Sequence, residues 1–416
     1  MTVFDTLLAP VMPILQRIEA ARKKHHNEEF LWIDFVRILV FYFTKRCGSR
    51  NTLIVALENA DPALSLPAVP AMTLSDAFRR FSPALLRQVL TSLITSLHLP
   101  ENPELALIGR VCATDGSDFP IVGGMILPQS SELVKSIKLH LTFNLNQMIT
   151  ADFLVDHPHS SERSVLRTML QAGVTYILDR GYMAFDLLRD IIAAQAFVVM
   201  RAYNTIVVET VSELPIVLPE TFTAHWIQVR DRIVQSAHPD AAGILFRLVE
   251  CTVGTTTYRL ITNRTDLTTF QVIILYAYRW QIELIFRFFK HTLQGVEVIT
   301  QSKWGVENYF AAMFLTAILH LYFKIDCLEQ AGYLPPTQQA LPTEQSTDQA
   351  QISTDPARST IHLAIAALMA RINDQLALFW KVPKHWLITV SDYLHRIFTP
   401  SVRGIFNKRA LYHCKA

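Results

Sequence analysis

A chain of 416 residues, half of them hydrophobic and 18% charged, is too long for one small domain and too apolar to stay disordered, so two or three packed units are expected. A formal net charge of only +2 excludes wholesale basicity, so a nucleic-acid partner would have to be held by local patches, with ARKKHH at 21–26 and VRGIFNKRALYHCK at 402–415 as candidates. The five cysteines (Cys47, Cys112, Cys251, Cys327, Cys414) are scattered without a CxxC pair, which argues against a disulfide framework or a structural zinc site and for a reducing cytoplasm.

The N-terminal stretch MTVFDTLLAPVMPILQRIEAARKK has no charged region ahead of its apolar residues and does not read as a signal peptide. Residues 1–104 read as helical. FLWIDFVRILVFYFTKR and SDAFRRFSPALLRQVLTSLITSLHL repeat apolar residues at helical spacing, and Thr73-Leu74-Ser75-Asp76 supplies cap-type residues before the second. The pattern changes at about 105. LALIGRVCATD, FPIVGGMIL, KLHLTFNLNQ and ITADFLVD read as successive strands. ERSVLRTMLQAG then predicts a helix, VTYILDRGY a short buried strand, MAFDLLRDIIAAQ a helix and AFVVMRAYN a strand. Strands in a row followed by strand–helix alternation imply a mixed α/β sheet with helical cover over 105–204.

Between 205 and 262, TAHWIQVRDRIV, GILFRLVECTV and TYRLITN alternate as an antiparallel β insertion. Helical periodicity returns from an N-cap at Thr265-Asp266 and fills 263–330, including YFAAMFLTAILHLYF at 309–323, read as a buried helix too short to span a bilayer. Residues 331–360, rich in Pro, Gln and Thr, predict a linker or disordered loop, and 361–416 return to helices.

Within the second helical part, YAYRWQIELIFRFFKHT at 276–292 is greasy yet carries Arg279, Glu283, Arg287 and Lys290. At about 100° per residue, Tyr276, Arg279, Glu283 and Lys290 fall within an arc of roughly 60°. Ile274, Tyr278, Leu284, Ile285 and Phe288 lie opposite. On this helix alone a solvated face laced by i,i+4 ion pairs explains the stripe.

Two aspartates change that reading. Asp115 ends the run LALIGRVCAT and Asp179 ends VTYIL. Each alone is as easily a turn-former or a cap. Two such strands in one sheet can nevertheless bring both carboxylates to one edge, where a helix-borne Glu283 completes a three-acid cluster. Hard divalent cations prefer such oxygen donors, and two of them stabilise the attacking and leaving oxygens of phosphoryl displacement. Arg279 and Lys290 on the same stripe would neutralise phosphates entering the site.

Tyr276-x2-Arg279-x3-Glu283-x6-Lys290 resembles the YREK signature of DDE transposases of the IS4 group. TDGS at 114–117 resembles their first-aspartate motif and LDRGY at 178–182 their second, while LITN at 260–263, the Arg279-Trp280 and Ile282-Glu283 steps and the β insertion are similar to the same family. The resemblance covers roughly 105–330. It implies an RNase H-like catalytic core split by the insertion, a helical DNA-binding region over 1–104 and helices at the C-terminus. It also implies Asp115, Asp179 and Glu283 as catalytic metal ligands for Mg²⁺ (Mn²⁺ substituting), with Tyr276, Arg279 and Lys290 gripping DNA. The reaction implied is DNA strand cleavage followed by 3′-OH attack on target DNA, either directly or through a hairpin. The partners implied are double-stranded element ends and a second copy in a homodimer, without a membrane, in a prokaryotic cytoplasm at the nucleoid. Gly116 departs from the Thr or Ser that often follows the first aspartate of the family. Asp115 is preferred over Asp118, which precedes Phe119-Pro120 and reads as a turn residue.

Other candidates keep two readings. Lys138 and His140 belong either to the site or to the outward face of a strand. Arg201 and Asn204 either touch DNA or cap the insertion. Trp280 either stacks on a base or, by preference, packs in the core. Two rival functions are a catalytically silent DNA-binding repressor and a metal-dependent nuclease that never joins strands.

Overall fold

The structure is a computed structural model that describes residues 2–24, 26–97, 99, 101–126, 133–218, 226–253, 256–295 and 297–330. The expected linker at 331–360, the C-terminal helical region, its basic tail and Cys414 lie outside the described residues.

Helices α1 (Val3–Leu8), α2 (Met12–Ala21), α3 (Trp32–Lys45), α4 (Arg50–Glu58), α5 (Ala71–Arg80), α6 (Pro83–Ser96) and α7 (Pro103–Ala106) precede the sheet. The helix expected as one piece from Ser75 is two. Pro83 cannot donate to the turn before it, so the chain breaks there and restarts with Ser82 as N-cap, its hydroxyl accepting from the Ala84 N–H at 3.4 Å. Thr73 to Asp76, expected as cap residues, lie inside α5. In the basic stretch at 21–26, Arg22 is paired with Glu19 and Glu28, and Lys24 with Glu19 at 3.0 Å, so two of its charges are already answered within the chain.

β1 (Val111–Ile126), β2 (Leu133–Asn144) and β3 (Ile149–Asp156) form an antiparallel meander. α8 (Glu162–Met169) and α9 (Phe185–Ala193) are crossovers to β4 (Thr175–Leu178) and β5 (Phe197–Arg201), which run parallel to β1. All four residues of β4 are buried, as expected for a central parallel strand covered on both faces. LALIGRVCATD is only partly strand. Leu105 belongs to α7, Gly109 turns the chain at φ +98°, and β1 starts at Val111. Nor does β1 stop at Asp115. β2 offers it a ladder from Cys112 to Pro120 and again at Met125, so the two expected strands are one, and Asp118 sits opposite Lys138 instead of in a turn.

The insertion strands β6 (Glu209–Glu213), β7 (Trp226–Gln235), β8 (Phe246–Val253) and β9 (Thr256–Thr262) extend the same sheet, because β9 pairs antiparallel with β5. The order among the described residues is β3-β2-β1-β4-β5-β9-β8-β7-β6. A meander beside two parallel crossover strands, with helices at both ends of the described residues, is an RNase H-like core. An ion pair buried within the insertion ties it to the helical segment beyond β9. Arg247 donates to Asp231 at 2.6 and 2.8 Å and to the carbonyl of Leu267 at 2.5 Å, while the Thr269 hydroxyl donates to Asp231 at 2.7 Å.

α10 (Thr269–Ala277) starts from Thr268, whose capping box with Gln271 replaces the expected cap at Thr265-Asp266. Asp266 instead pairs with Arg264 at 2.7 Å. The helix through the charged stripe is also not continuous. It breaks at Tyr278-Arg279, resumes as α11 (Trp280–Arg287), and loosens into a π turn over Phe288–Thr292. Tyr278 is fully buried, and its hydroxyl receives a hydrogen bond from Asn102 at 2.7 Å.

α12 (Lys303–Gln330) is longer than the expected 309–323, and its segment Lys303–Cys327 has the length and composition to cross a membrane. It packs instead against α3, α5, α6 and β3, and 83% of its most apolar window is buried within the protein. A helix apolar all round is explained by such a core position. Two of its polar side chains find partners inside: Asn308 donates to the Phe81 carbonyl at 2.8 Å, and His320 lies 3.3 Å from the Thr44 hydroxyl.

Candidate active site

Sheet register sets the two aspartates side by side. β1 and β4 are parallel neighbours with Ala113 level with Ile177, so Asp115 and Asp179, each two residues further on, reach the same edge. Asp179 follows β4 directly and opens a short 3₁₀ turn, Arg180–Tyr182, with its side chain 48% exposed. The Asp115 carboxylate accepts from the Gly116 N–H at 2.8 Å.

The broken helix brings the stripe to this edge. Tyr276 donates its hydroxyl to Asp179 at 3.5 Å. The guanidinium of Arg279 lies 4.0 Å from Asp179 and donates to Glu283 at 2.7 Å, so one cation spans two of the three acids. The π turn re-aims Lys290 over β1, where its ammonium donates to the Ser117 hydroxyl at 2.8 Å and the Asp118 carbonyl at 2.9 Å and lies 4.7 Å from the Phe119 ring. Arg279 therefore lies between Asp179 and Glu283 at this edge of the sheet, with Tyr276 on Asp179 and Lys290 on β1 two residues beyond Asp115.

Burial pushes the Asp115 carboxyl up to about 6. The Gly116 hydrogen bond and Arg279 oppose the rise, and the neighbouring carboxylates of Glu162 and Asp179 add to it. Burial works against the charge of Arg279, yet its bond to Glu283, with Tyr276 and Asp179 nearby, holds it above its ordinary value. Burial raises the Tyr276 hydroxyl and lowers Lys290, the latter partly offset by Asp118.

Stability should therefore depend on pH through this group. The folded chain binds the Asp115 proton more tightly than the unfolded one, so the group's cost to stability is absent near pH 4 and complete above pH 6. In chelator, Asp115→Asn is expected to melt at a higher temperature than the wild type at pH 8, with the gap closing towards pH 4. Melts recorded at both values check it, and a gap independent of pH would be contrary.

Of the remaining candidates, Arg201 ends β5 with its guanidinium 4.7 Å from the Tyr258 ring, which is itself 6.4 Å from Tyr276. The Asn204 carbonyl accepts from Arg259 at 3.0 Å, a contact that ties the start of the insertion to β9. Trp280 is not in the core, since it is 44% exposed beside Arg279. His140 is buried rather than on an outward face, with Nε2 2.8 Å from the Ser160 hydroxyl, and burial lowers its pKa. Lys138 reaches Glu162 at 3.4 Å. Sequence reasoning missed Glu162, Ser117 and Tyr182 as neighbours of the site. An acid in a helix's first turn is too common to stand out, and Tyr182 gave no sign that its hydroxyl would be buried without a hydrogen-bond partner.

The donor set suits a hard divalent cation, because it consists of carboxylate oxygens. Among the described residues, no three acidic, histidine or cysteine side chains are yet gathered tightly enough to hold an ion. Glu283 is turned onto Arg279. The four described cysteines are free thiols.

The chain has a known relative. A protein of Sinorhizobium fredii (strain NBRC 101917 / NGR234), provisionally named transposase y4zB, is 25% identical over 205 residues, which are 48% of this chain. The chain spans only about half the length of that curated relative, 56% of it. Residues 109–319, from the turn before β1 into α12, match the family described as Transposase DDE domain. That match takes in half of the chain and both strands and the helix that carry the three acids, and the chain belongs to the DDE transposase domain family.

Proposed function

We propose that this chain is a DNA transposase of the IS4 group that cuts the ends of its element and joins them to target DNA, with Asp115, Asp179 and Glu283 as its metal ligands. The observation that carries the reading is Arg279 reaching both Asp179 and Glu283 while Tyr276 closes on Asp179 and Lys290 on β1 two residues beyond Asp115. Mg²⁺ held by the three carboxylates would supply an activated water or 3′-OH nucleophile and charge stabilisation at the leaving oxygen.

The protein's own part is positioning. Lys290 anchors on β1 and presents a compact charge, Tyr276 holds Asp179 in place, and Arg279 offers a planar fork suited to a phosphate. A phosphate that takes this fork releases Glu283 towards the aspartates. Exposed Trp280 and partly buried Arg201 would contact flanking nucleotides. The helices of residues 1–104 act as the DNA-binding region, and two copies pair two ends in a homodimer, in the cytoplasm at the nucleoid.

The test is incubation of the purified chain with Mg²⁺ and DNA carrying the inverted ends that flank its gene. Nicked, joined and, where a hairpin forms, hairpinned products are expected. Binding without any product would make the chain a silent repressor, and cutting without joining would make it a nuclease.

A further inference from the structure

Gly116 has no side chain, and the space a side chain would take is filled. A Cβ at this position would lie 2.8 Å from the Glu162 carboxylate oxygen and 3.2 Å from Lys138 Cδ. Glu162 is the first residue of α8, and the helix is started by Ser161, whose hydroxyl accepts from the Ser164 N–H at 3.4 Å. The acid is thereby laid over the residue next to Asp115, with Lys138 as its present counter-ion at 3.4 Å. A second feature converges on the same spot. Tyr182 is 1% exposed and its hydroxyl has no hydrogen-bond partner among the described residues. The charges bearing on that hydroxyl are those of Glu162, Asp115 and Asp179, in that order. Buried hydroxyls are rarely left unbonded, and the carboxylates whose charges bear on this one are those a small hydrated cation would join.

We infer that Glu162 is a fourth carboxylate of the cation site, sharing a divalent ion with Asp115. The departure at Gly116 is what admits it: the Cβ of a Ser or Thr there would crowd the Glu162 carboxylate at 2.8 Å and push it aside. Lys138 neutralises Glu162 until the ion arrives and is then free to face a phosphate. The inference rests on the proposed metal site, and the experiment separates failure of one from failure of the other.

The probe is Mn²⁺ alone, titrated into the full chain without DNA at pH 7.5 and followed by the loss of the free-ion resonance signal. Wild type is expected to bind, and Asp115→Asn to lose most of that binding. Glu162→Gln is expected to weaken it by about tenfold or more, and Lys138→Met to leave it unchanged or tighter. Gly116→Ser is a second route to the same answer. It keeps all four acids but pushes aside the flexible end of Glu162, so it should weaken binding while the melting temperature in chelator stays near that of wild type. If Asp115→Asn weakens binding and Glu162→Gln matches wild type, Glu162 is only the partner of Lys138 and the inference fails alone. Equal losses in Glu162→Gln and Lys138→Met would also overturn it, since the pair would then be structural. If wild type and Asp115→Asn are alike, the metal site itself is wrong.

Discussion

Arg247→Ala is expected to destabilise the protein by about 3–5 kcal/mol, the usual loss when one half of a buried ion pair is removed. Both members are sealed from water, the Arg247 side chain 3% and the Asp231 side chain 0% exposed. The substitution leaves the buried Asp231 carboxylate without its cation, with the Thr269 hydroxyl as its remaining side-chain donor among the described residues. It also strips a donor from the carbonyls of Arg264 and Leu267, which lie just before α10. The loss would be felt where the insertion grips the helix that carries Tyr276. Asp231→Ala should cost a similar amount, since it strands the guanidinium instead. Replacing both, Asp231→Leu with Arg247→Met, should cost far less than the two alanine variants summed, because no uncompensated charge remains. Thermal melts of the three variants decide the matter, and an Arg247→Ala protein that melts with wild type would show that the pair contributes little.

Glu283→Gln is expected to lower DNA strand cleavage by about 10³-fold or more, roughly 4 kcal/mol of barrier. The amide keeps the size of the carboxylate, and its oxygen can still accept from Arg279, which now bonds Glu283 at 2.7 Å. Folding and the placement of α11 should therefore be preserved, with a melting temperature close to wild type. What the variant lacks is the anionic oxygen that a hard cation requires. Cleavage of end-bearing DNA under single-turnover conditions is the measurement. A loss of less than about tenfold would mean that Glu283 serves only to pin Arg279. In that event Arg279→Ala would become the more damaging change.

Much of this architecture could be read from residue types. VTYIL carries no charge because all of β4 is buried, and the acid that follows it falls at a strand end. The strands of the insertion announced themselves by alternation, although alternation does not say that β9 would pair with β5 and continue the same sheet. Where the reading failed, the cause was local chemistry overridden by tertiary contacts. Asp115 looked like a terminus because Gly116 and Ser117 are turn formers, yet β2 supplies a ladder that carries the strand past them. The stripe looked like one regular helix because its periodicity is α-like. Nothing in FFKHT signals the π turn that swings Lys290 onto Ser117. Trp280 looked like core by size alone, whereas its place after the break at Arg279 leaves it facing outwards. Glu162 could not be found from spacing, since its approach to Gly116 depends on how α8 lies across β1 and β2.

The convergence of Asp115, Asp179 and Glu283 on shared cations is tested most directly by crystals of the protein grown with end-bearing DNA and Mn²⁺, with the ion located by its anomalous scattering. The expected map shows Mn²⁺ at about 2.2 Å from oxygens of Asp115 and Asp179, with Glu283 swung off Arg279 to complete the shell and the freed guanidinium on a DNA phosphate. Scattering found away from both aspartates, or its absence there while Arg279 still bridges Asp179 and Glu283 in the DNA complex, would contradict the assignment.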